Sequence, residues 1–352
     1  MPEIRVLIVD DSVLARDLIK AILSTDSQIV IAGEANNGAE AIAMAAALRP
    51  DIITMDIEMP VMNGLDAIEQ IMANNAMPIL VVSSLGDAHT AYSAISRGAL
   101  DLIQKPDVNL EDAMEFISKV KLLSRVKVLT HLKGRHPKPE KQRDLSFIAA
   151  VKSINVPQSN RVVAVASSTG GPDALSVMLS GLPETFPCPV LIAQHISDGF
   201  VPGMVDWFRK ITRMQVKMGA NGDELKPGHA YISPSEMHMT VGAGGRIALV
   251  ERQPSDIFRP SCDRLLMSVA EVFGKRGVGV ILTGMGNDGV LGMQRIKQAG
   301  GITVAQDEKT SVVFGMPRVA IEAGCIEKVL PIQAIAGALV DIASSQSGQR
   351  SA

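Results

Sequence analysis

The stretch VVAVASSTGGP, residues Val162–Pro172, joins a short apolar run to the start of an amphipathic helix. The run is rich in β-branched residues and predicts a buried strand, and Pro172 suits a first helical turn, where a missing N–H costs no hydrogen bond. Two serines therefore lie on a tight turn at the edge where open α/β sheets bind their ligands. Unpaired N–H groups and a positive partial charge at the helix start allow a serine there to act as a nucleophile.

Two simpler interpretations of this turn stay open on the motif alone. A Ser-Thr-Gly-Gly sequence before a helix also serves as a cap with a tight turn, or as a cradle for a bound phosphate. The stretch is not a G-x-S-x-G elbow, and it lacks the Lys-Ser/Thr pair that follows the glycines of a Walker loop. The rest of the chain has to decide between these interpretations.

The composition predicts two globular domains of a cytoplasmic protein. Of the 352 residues 47% are hydrophobic, and no apolar run is long enough for membrane insertion. The start, Met1–Arg5, is not a signal peptide. Cys188, Cys262 and Cys325 are isolated in or beside apolar runs, which predicts reduced core residues rather than a disulfide or zinc set. Aromatic residues, at 3%, are too few for base-stacking recognition of nucleic acid.

The charge divides the chain into three blocks. Residues 1–123 carry 8 Lys and Arg against 18 Asp and Glu, residues 124–160 carry 8 against 2, and residues 161–352 carry 18 against 17. The net charges of −10, +6 and +1 predict an acidic domain, a basic linker and a near-neutral domain. The linker is interpreted as a solvated tether, because no helix-turn-helix or zinc pattern accompanies its charge to support a nucleic-acid site.

Five apolar runs alternate with helical patterns in the first block and predict a doubly wound parallel sheet. Because the carboxyl ends of parallel strands meet at one edge, polar side chains that follow these runs are expected to converge there. The five runs are Arg5–Asp11, Ile29–Ala35, Asp51–Asp56, Pro78–Ser83 and Ala99–Gln104.

Acids end two of these runs, with Asp10 and Asp11 at the end of the first and Asp56 at the end of the third. Three converging carboxylates repel each other unless a hard cation such as Mg²⁺ binds among them. Since Mg²⁺ also takes phosphate oxygens, Asp56 can become an acyl phosphate, with Lys105 and the Ser83 hydroxyl holding the remaining oxygens. Helix capping is the alternative role for such acids, but it leaves the complete set unexplained.

These residues resemble the response-regulator receiver family over the whole first block. The resemblance implies a flavodoxin-like fold, a histidine kinase as phosphodonor, Asp56 as phosphoacceptor, Asp10, Asp11 and Asp56 as Mg²⁺ ligands, and Ser83 and Lys105 as phosphate sensors. Glu58 stands where the family has a backbone carbonyl ligand. The motifs are Asp10-Asp11-Ser12, Asp56, Met59-Pro60, Asn63-Gly64, Ser83 and Lys105-Pro106.

The third block predicts a second parallel α/β sheet with a β-hairpin insertion at Tyr231–Val250. Besides the strand before Ser168, one apolar run ends at His195 and another leads into the loop that carries Asp288. At equivalent strand ends the histidine can take the serine proton, and the aspartate can fix the imidazole tautomer. No metal-ligand cluster is expected beyond residue 160, so hydrolysis is predicted to need no cofactor.

The motifs of this block resemble the chemotaxis protein-glutamate methylesterase family (CheB-type), and together with the receiver the resemblance covers essentially the whole chain. It implies a Rossmann-like esterase domain with Ser168 as nucleophile, His195 as general base and Asp288 as its orienting acid. Backbone N–H groups of Met285 and Thr169 would bind the oxyanion. The motifs are Ser167–Gly171, Gln194-His195, Pro227–Ile232, Arg259–Ser261, Leu282–Gly289 and Val313–Pro317.

The implied substrates are methylated glutamates of methyl-accepting chemoreceptors, from which water displaces methanol, and glutamines that are deamidated. Ser167 departs from the family, which has alanine there, and Ile196–Gly199 replaces its proline-rich loop. His229 and His238 are interpreted as structural or rim residues. Two alternatives remain: a related esterase with other protein substrates, and a response regulator whose second domain only binds a partner. The receiver motifs of the first block and the esterase motifs of the third, joined in one chain, further predict that the receiver domain covers the esterase cleft until the receiver is phosphorylated.

Overall fold

The first of two parallel sheets has five strands in the order β2-β1-β3-β4-β5. The structure, a computed structural model, describes residues 3–84, 88–107, 109–128 and 160–345. All five predicted strands are confirmed, and every neighbouring pair is parallel. The strands are β1 (Ile4–Val9), β2 (Ile29–Ala35), β3 (Ile52–Met55), β4 (Ile79–Ser83) and β5 (Asp101–Gln104), and the helices are α1 (Val13–Leu23), α2 (Gly38–Leu48), α3 (Gly64–Asn74), α4 (Ala88–Ser96) and α5 (Leu110–Leu123).

Local sequence explains where these helices start. The side chains of four polar residues accept the N–H of the residue three positions on, which satisfies a donor that the first turn leaves free. Strands β3 and β4 are buried along their whole length and mostly apolar, because helices cover both faces of the sheet. The four capping residues are Ser12 for α1, Asn37 for α2, Asn63 for α3 and Asn109 for α5.

The second sheet has seven parallel strands in the order β14-β13-β12-β6-β7-β9-β8, so the strand before Ser168 lies at its centre. The predicted doubly wound α/β class is confirmed for both sheets. The strands are β6 (Val162–Ser167), β7 (Val190–Gln194), β8 (Gln215–Met218), β9 (His229–Ile232), β12 (Gly277–Ile281), β13 (Ile302–Gln306) and β14 (Lys328–Leu330), and the helices are α6 (Gly171–Ser180), α7 (Val201–Ile211), α8 (Cys262–Phe273), α9 (Val290–Gln298), α10 (Met316–Glu322) and α11 (Ile332–Ser344).

The β-hairpin insertion is present but begins later than predicted. Strands β10 (Met237–Val241) and β11 (Ile247–Glu251) form a separate antiparallel pair. Tyr231, which the alternating pattern placed in the hairpin, belongs to β9 and pairs in parallel with Leu191 of β7. The difference arises because β9 is buried between β7 and β8, where a short apolar strand has no polar face to mark it.

The segment between the domains is described only at its two ends. Helix α5 ends at Leu123, Val126 and Val128 pack against the core of the first domain, and β6 begins at Val162. Residues 129–159, with His131, His136 and most of the predicted linker, lie outside the described residues. The boundaries 1–123, 124–160 and 161–352 therefore stay predictions.

Among the described helices, none combines the length and the apolar character that crossing a membrane requires. All three cysteines are buried, as predicted from their apolar surroundings.

The two domains pack against each other through α4 and α7. The ring of Tyr92 on α4 stacks on Trp207 of α7. Around this pair, Ile95 of the first domain and Met204 and Phe208 of the second belong to one continuous apolar cluster. The packing places the β5–α5 side of the first sheet beside the carboxyl edge of the second.

Candidate active site

Ser168 lies on the turn between β6 and α6, at the carboxyl edge of the seven-stranded sheet. Its N–H donates to the carbonyl oxygen of Thr283, 3.0 Å away, just beyond the neighbouring strand β12. Gly170 turns the chain into the helix at a φ of +74°, which glycine adopts without strain. Gly284 gives the serine room, because a Cβ at that position would lie 2.6 Å from the Ser168 Cβ. Backbone contacts from two strands thus fix the position of this serine.

The structure distinguishes the two adjacent serines. Ser167 is fully buried, and its Oγ donates to Gln194 Oε1 at 2.7 Å. Gln194 Nε2 in turn donates to the Ser168 carbonyl at 2.8 Å, so Ser167 and Gln194 brace the turn. Ser168 is 9% exposed and lines a cleft, and within the described residues its Oγ has no hydrogen-bond partner. Ser168 therefore has the available hydroxyl, whereas that of Ser167 is already engaged.

His195 and Asp288 form the contact that their strand ends predict. His195 Nε2 lies 2.8 Å from Asp288 Oδ2, which leaves Nδ1 as the ring nitrogen available to another group. Phe258 stacks on the imidazole with ring centroids 5.2 Å apart and an interplanar angle of 8°. Together these contacts fix both the tilt and the rotation of the ring.

Asp288 is held as an anion at the start of α8. Its carboxylate accepts hydrogen bonds from the N–H groups of Cys262 (2.6 Å) and Asp263 (2.9 Å) and from Ser261 Oγ (3.2 Å). Burial acts to raise the pKa of Asp288, but His195 and the helix N–H groups outweigh it and lower the pKa below its usual value. A charged carboxylate can therefore balance an imidazolium that forms beside it.

Ser168 and His195 both line a cleft of about 650 Å³ between the two domains. No hydrogen bond joins Ser168 Oγ to His195 among the described residues. Catalytic hydrogen bonds often tighten only when substrate is bound, so this looser arrangement fits a free enzyme.

Two backbone N–H groups near the serine are available to bind an oxyanion. Those of Thr169 and Met285, the two predicted donors, make no hydrogen bond to another described residue. Thr283 Oγ1 donates to the Thr169 carbonyl at 2.9 Å, which ties the two donor loops together. Met285 is half exposed and lines the cleft, so its contribution there comes from the backbone as well as from an apolar wall.

The acids of the first domain also come together. One ligand oxygen from each of Asp10, Asp11 and Asp56 lies within 4.8 Å of the others. Lys105 Nζ lies 2.8 Å from Asp10 Oδ2 and 2.9 Å from Asp56 Oδ2. Burial raises the pKa of Asp56 to about 6, with Asp10 adding to the effect and Lys105 opposing it. This all-oxygen donor set fits a hard divalent cation such as Mg²⁺.

Ser83 and Glu58 complete the predicted residues of this domain. Ser83 is buried at the end of β4, and its carbonyl accepts the N–H of Lys105 at 2.9 Å, so the two lie side by side. The Glu58 side chain is exposed and is not part of the acidic cluster, which is consistent with a role for its backbone alone.

The first domain forms one wall of the cleft in front of Ser168. Lys105, which contacts the acidic cluster, also lines this cleft together with Lys119 of α5. Asp101 of β5 lies 3.2 Å from Lys119 Nζ. Burial raises the pKa of Asp101, while Lys119 and the neighbouring Thr169 oppose the rise. A buried carboxyl group of the first domain thus lies against the residue that follows Ser168.

Two features of the site were not predicted from the sequence. His238 is fully buried, accepts the Ser261 N–H at Nδ1 (2.9 Å) and contacts Asp256 through Nε2 (2.8 Å), so it supports the residue that caps α8. Cys262, predicted only as core, has its Sγ 3.5 Å from His195 Nε2. The expectation of no metal-ligand cluster beyond residue 160 is therefore wrong, because ligand atoms of His195, Cys262 and Asp288 lie within 4.8 Å of one another.

Comparison with known proteins finds similarity along almost the whole chain. Residues 163–339 match the family described as CheB methylesterase, and residues 6–117 match the response regulator receiver domain. A Paramagnetospirillum magneticum protein named protein-glutamate methylesterase/protein-glutamine glutaminase 3 is 44% identical over 347 residues, 98% of each chain. An Anaeromyxobacter dehalogenans protein of the same name, numbered 2, is 41% identical, covering 96% of this chain and 97% of the relative.

A solved structure resembles the second domain. The crystal structure of the Thermotoga maritima CheB methylesterase catalytic domain is 36% identical with a TM-score of 0.51, and the match covers 52% of this chain and 99% of that one. That relative is an isolated domain, whereas this chain joins a similar domain to a second sheet.

Proposed function

The chain belongs to the CheB methylesterase family, and we propose that Ser168, His195 and Asp288 carry out its hydrolysis of glutamate methyl esters. It is a protein-glutamate methylesterase/protein-glutamine glutaminase of chemotaxis with a response-regulator receiver domain. The observation that carries the assignment of residues is the 2.8 Å contact between His195 and Asp288, in a cleft that the unpaired Ser168 hydroxyl also lines. A turn that only bound a partner would need neither of these strand-end residues.

In the first step Ser168 Oγ attacks the ester carbonyl and His195 Nδ1 takes its proton. Asp288 stays ionised and balances the imidazolium, since its pKa is held low at the start of α8. The carbonyl oxygen gains negative charge, which the N–H groups of Thr169 and Met285 stabilise. His195 then gives its proton to the departing methoxide, so methanol leaves and an acyl-serine remains.

The second step reverses these roles with water as nucleophile. His195 takes a proton from water, the hydroxide attacks the acyl-serine, and the proton returns to Ser168 Oγ as the glutamate carboxylic acid is released and ionises. A glutamine side chain follows the same route with ammonia as the leaving group. The methylesterase and glutaminase activities therefore share one site.

The receiver domain supplies the regulation. Asp10, Asp11 and Asp56 would hold Mg²⁺, with the Glu58 carbonyl as a further ligand, and the ion would neutralise charge during phosphorylation of Asp56. Support for this comes from the clustered carboxylates and from Lys105, whose ammonium group contacts two of them. Ser83 and Lys105 lie side by side, where their polar atoms would meet the phosphoryl oxygens.

The proposed partners are methyl-accepting chemoreceptors as substrates and a histidine kinase as phosphodonor. A methyl ester is neutral and small, so it can enter a cleft whose wall contains Phe258 and Met285. The proposed site of action is the cytoplasm. A nucleic-acid partner is not part of the proposal.

The test of this function is release of labelled methanol from membranes that carry methyl-labelled chemoreceptors. Wild-type protein is expected to release methanol, and Ser168→Ala is expected to release it roughly 10³-fold more slowly or slower still. Methanol release from other methylated proteins, with receptors untouched, would favour the related-esterase alternative. Absence of release from any ester would contradict the assignment of this cleft.

A further inference from the structure

A cysteine thiol lies against the proposed general base. Cys262 is the first residue of α8, is fully buried, and has its Sγ 3.5 Å from His195 Nε2. Asp288 Oδ2 lies 2.8 Å from the same nitrogen. The hydrolysis proposed above uses the imidazole and the carboxylate but gives the thiol no role.

The three side chains present the donor atoms that zinc binds in proteins. Imidazole nitrogen, thiolate sulfur and carboxylate oxygen are its usual ligands, at distances of about 2.0–2.3 Å. One such atom from each residue lies within 4.8 Å of the others, so a small shift of the side chains encloses an ion. The residues come from three separate places, the end of β7, the loop between β12 and α9, and the start of α8, which gives the set a fixed framework.

The charges of this set also match a divalent cation. Bound zinc takes a deprotonated cysteine, so the ligands would be one thiolate, one carboxylate and one neutral imidazole. Two negative charges then neutralise Zn²⁺ inside a pocket where Cys262 and Asp288 are buried. Mg²⁺ prefers oxygen ligands and would not be held by this set.

We propose that the His195–Cys262–Asp288 cluster is an inhibitory binding site for Zn²⁺. The proposal rests on the role of His195 as general base and adds a regulator to that same site. The route for the ion is the interdomain cleft, because His195 lines it and its side chain is 15% exposed.

Binding at this site blocks proton transfer for a specific reason. A metal on Nε2 occupies the lone pair of that nitrogen, so the imidazole proton that faces Asp288 in the metal-free protein moves to Nδ1. That is the nitrogen left to accept the Ser168 proton, so the base is lost while the ion is bound. The thiol proton of Cys262 goes to solvent.

The experiment uses the full chain and two independent readouts. Binding is followed with Co²⁺, whose thiolate complexes show an intense near-ultraviolet charge-transfer band, and this readout needs no activity. Inhibition is followed as methanol release at increasing Zn²⁺, each variant normalised to its own metal-free rate. Cys262→Ala and Cys262→Val remove the thiol. Cys325→Ala is the matched control, because Cys325 is also buried but its Sγ donates a hydrogen bond to the Ala320 carbonyl.

The expected result is a cobalt band and zinc inhibition in wild type and in Cys325→Ala. Both Cys262 variants should lose the band, and the Zn²⁺ concentration for half-inhibition should rise about tenfold or more. Absence of the band in wild-type protein would overturn the site, even if neither Cys262 variant folds. Equal zinc inhibition with and without the Cys262 thiol would overturn it as well. If the wild-type protein showed the cobalt band but hydrolysed no ester, the metal site would stand and the proposed hydrolysis would be wrong.

Discussion

Tyr92 of the receiver domain stacks on Trp207 of the catalytic domain, with ring centroids 5.7 Å apart and an interplanar angle of 18°. Tyr92 is fully buried in this contact. The pair holds α4 against α7, and on the same side of the receiver Lys105 and Lys119 form a wall of the cleft in front of Ser168. The contact between these two rings therefore helps to hold this wall in place beside Ser168.

Residues 150–352 alone are expected to release methanol faster than the intact, unphosphorylated chain. The reason is that removing the receiver removes one wall of the cleft, which is predicted to keep a receptor helix out. If about 1% of intact molecules have an uncovered cleft, raising that fraction to about 50% requires a free-energy change of roughly 2.7 kcal/mol. The comparison is turnover of one methylated receptor by the fragment and by the full chain; the similar catalytic domain of the T. maritima relative was solved on its own.

Trp207→Ala is the single-residue version of the same prediction. In the intact chain it should raise the unphosphorylated rate, because the stacked contact with Tyr92 is lost. In the fragment the same substitution should leave the rate unchanged, which makes the fragment its control. Equal rates for the fragment and the intact wild-type protein would mean that the receiver does not cover the cleft.

Asp56→Ala is expected to hold the intact chain at its basal rate when a phosphodonor and Mg²⁺ are supplied. The phosphoryl group adds roughly −1.5 to −2 charge beside Lys105, which now contacts two carboxylates and lines the cleft. Chelating Mg²⁺ should likewise prevent activation of the wild type but leave its basal hydrolysis intact. Methanol release before and after the phosphodonor measures both effects, and activation of Asp56→Ala would contradict them.

Ser168→Ala is expected to lower turnover by roughly 10³-fold or more, whereas Ser167→Ala should keep much of the activity. The reason is that Ser167 Oγ is engaged with Gln194 inside the sheet, while Ser168 lines the cleft. Methanol release by the two variants, with unfolding temperatures measured in parallel, makes the comparison. If Ser167→Ala proved to be the inactive variant, the nucleophile would be the preceding residue.

His238 is expected to position Asp288 through Ser261. Its Nδ1 accepts the Ser261 N–H, and the Ser261 hydroxyl donates to Asp288 Oδ1. An asparagine at position 238 can place its side-chain oxygen where Nδ1 accepts the Ser261 N–H. A glutamine there can keep only the contact with Asp256. His238→Gln should therefore lower kcat by about tenfold with KM unchanged, and His238→Asn should restore most of it. If both variants lost the same share of kcat, in step with a lower unfolding temperature, His238 would have a role in stability alone.

The sequence predicted most of the fold because strand ends and helix starts carry local signals. Apolar runs placed Ser168, His195 and Asp288 at strand ends, and parallel topology brings such ends together. The edge strands β8 and β14 were not predicted, since they are short and partly exposed and show no regular pattern. The Tyr92–Trp207 stack and the Cys262–His195 contact join distant elements, so no local pattern records them.

The apolar cluster that runs through both domains has a thermodynamic consequence. Ile95 on one side and Met204 and Phe208 on the other share buried surface, so neither sheet can melt without exposing part of the other's interior. Scanning calorimetry of the unphosphorylated chain is expected to show one heat-absorption peak, with calorimetric and van't Hoff enthalpies that agree. A phosphoryl analogue that parts the domains should split this peak into two, each belonging to one independently melting sheet.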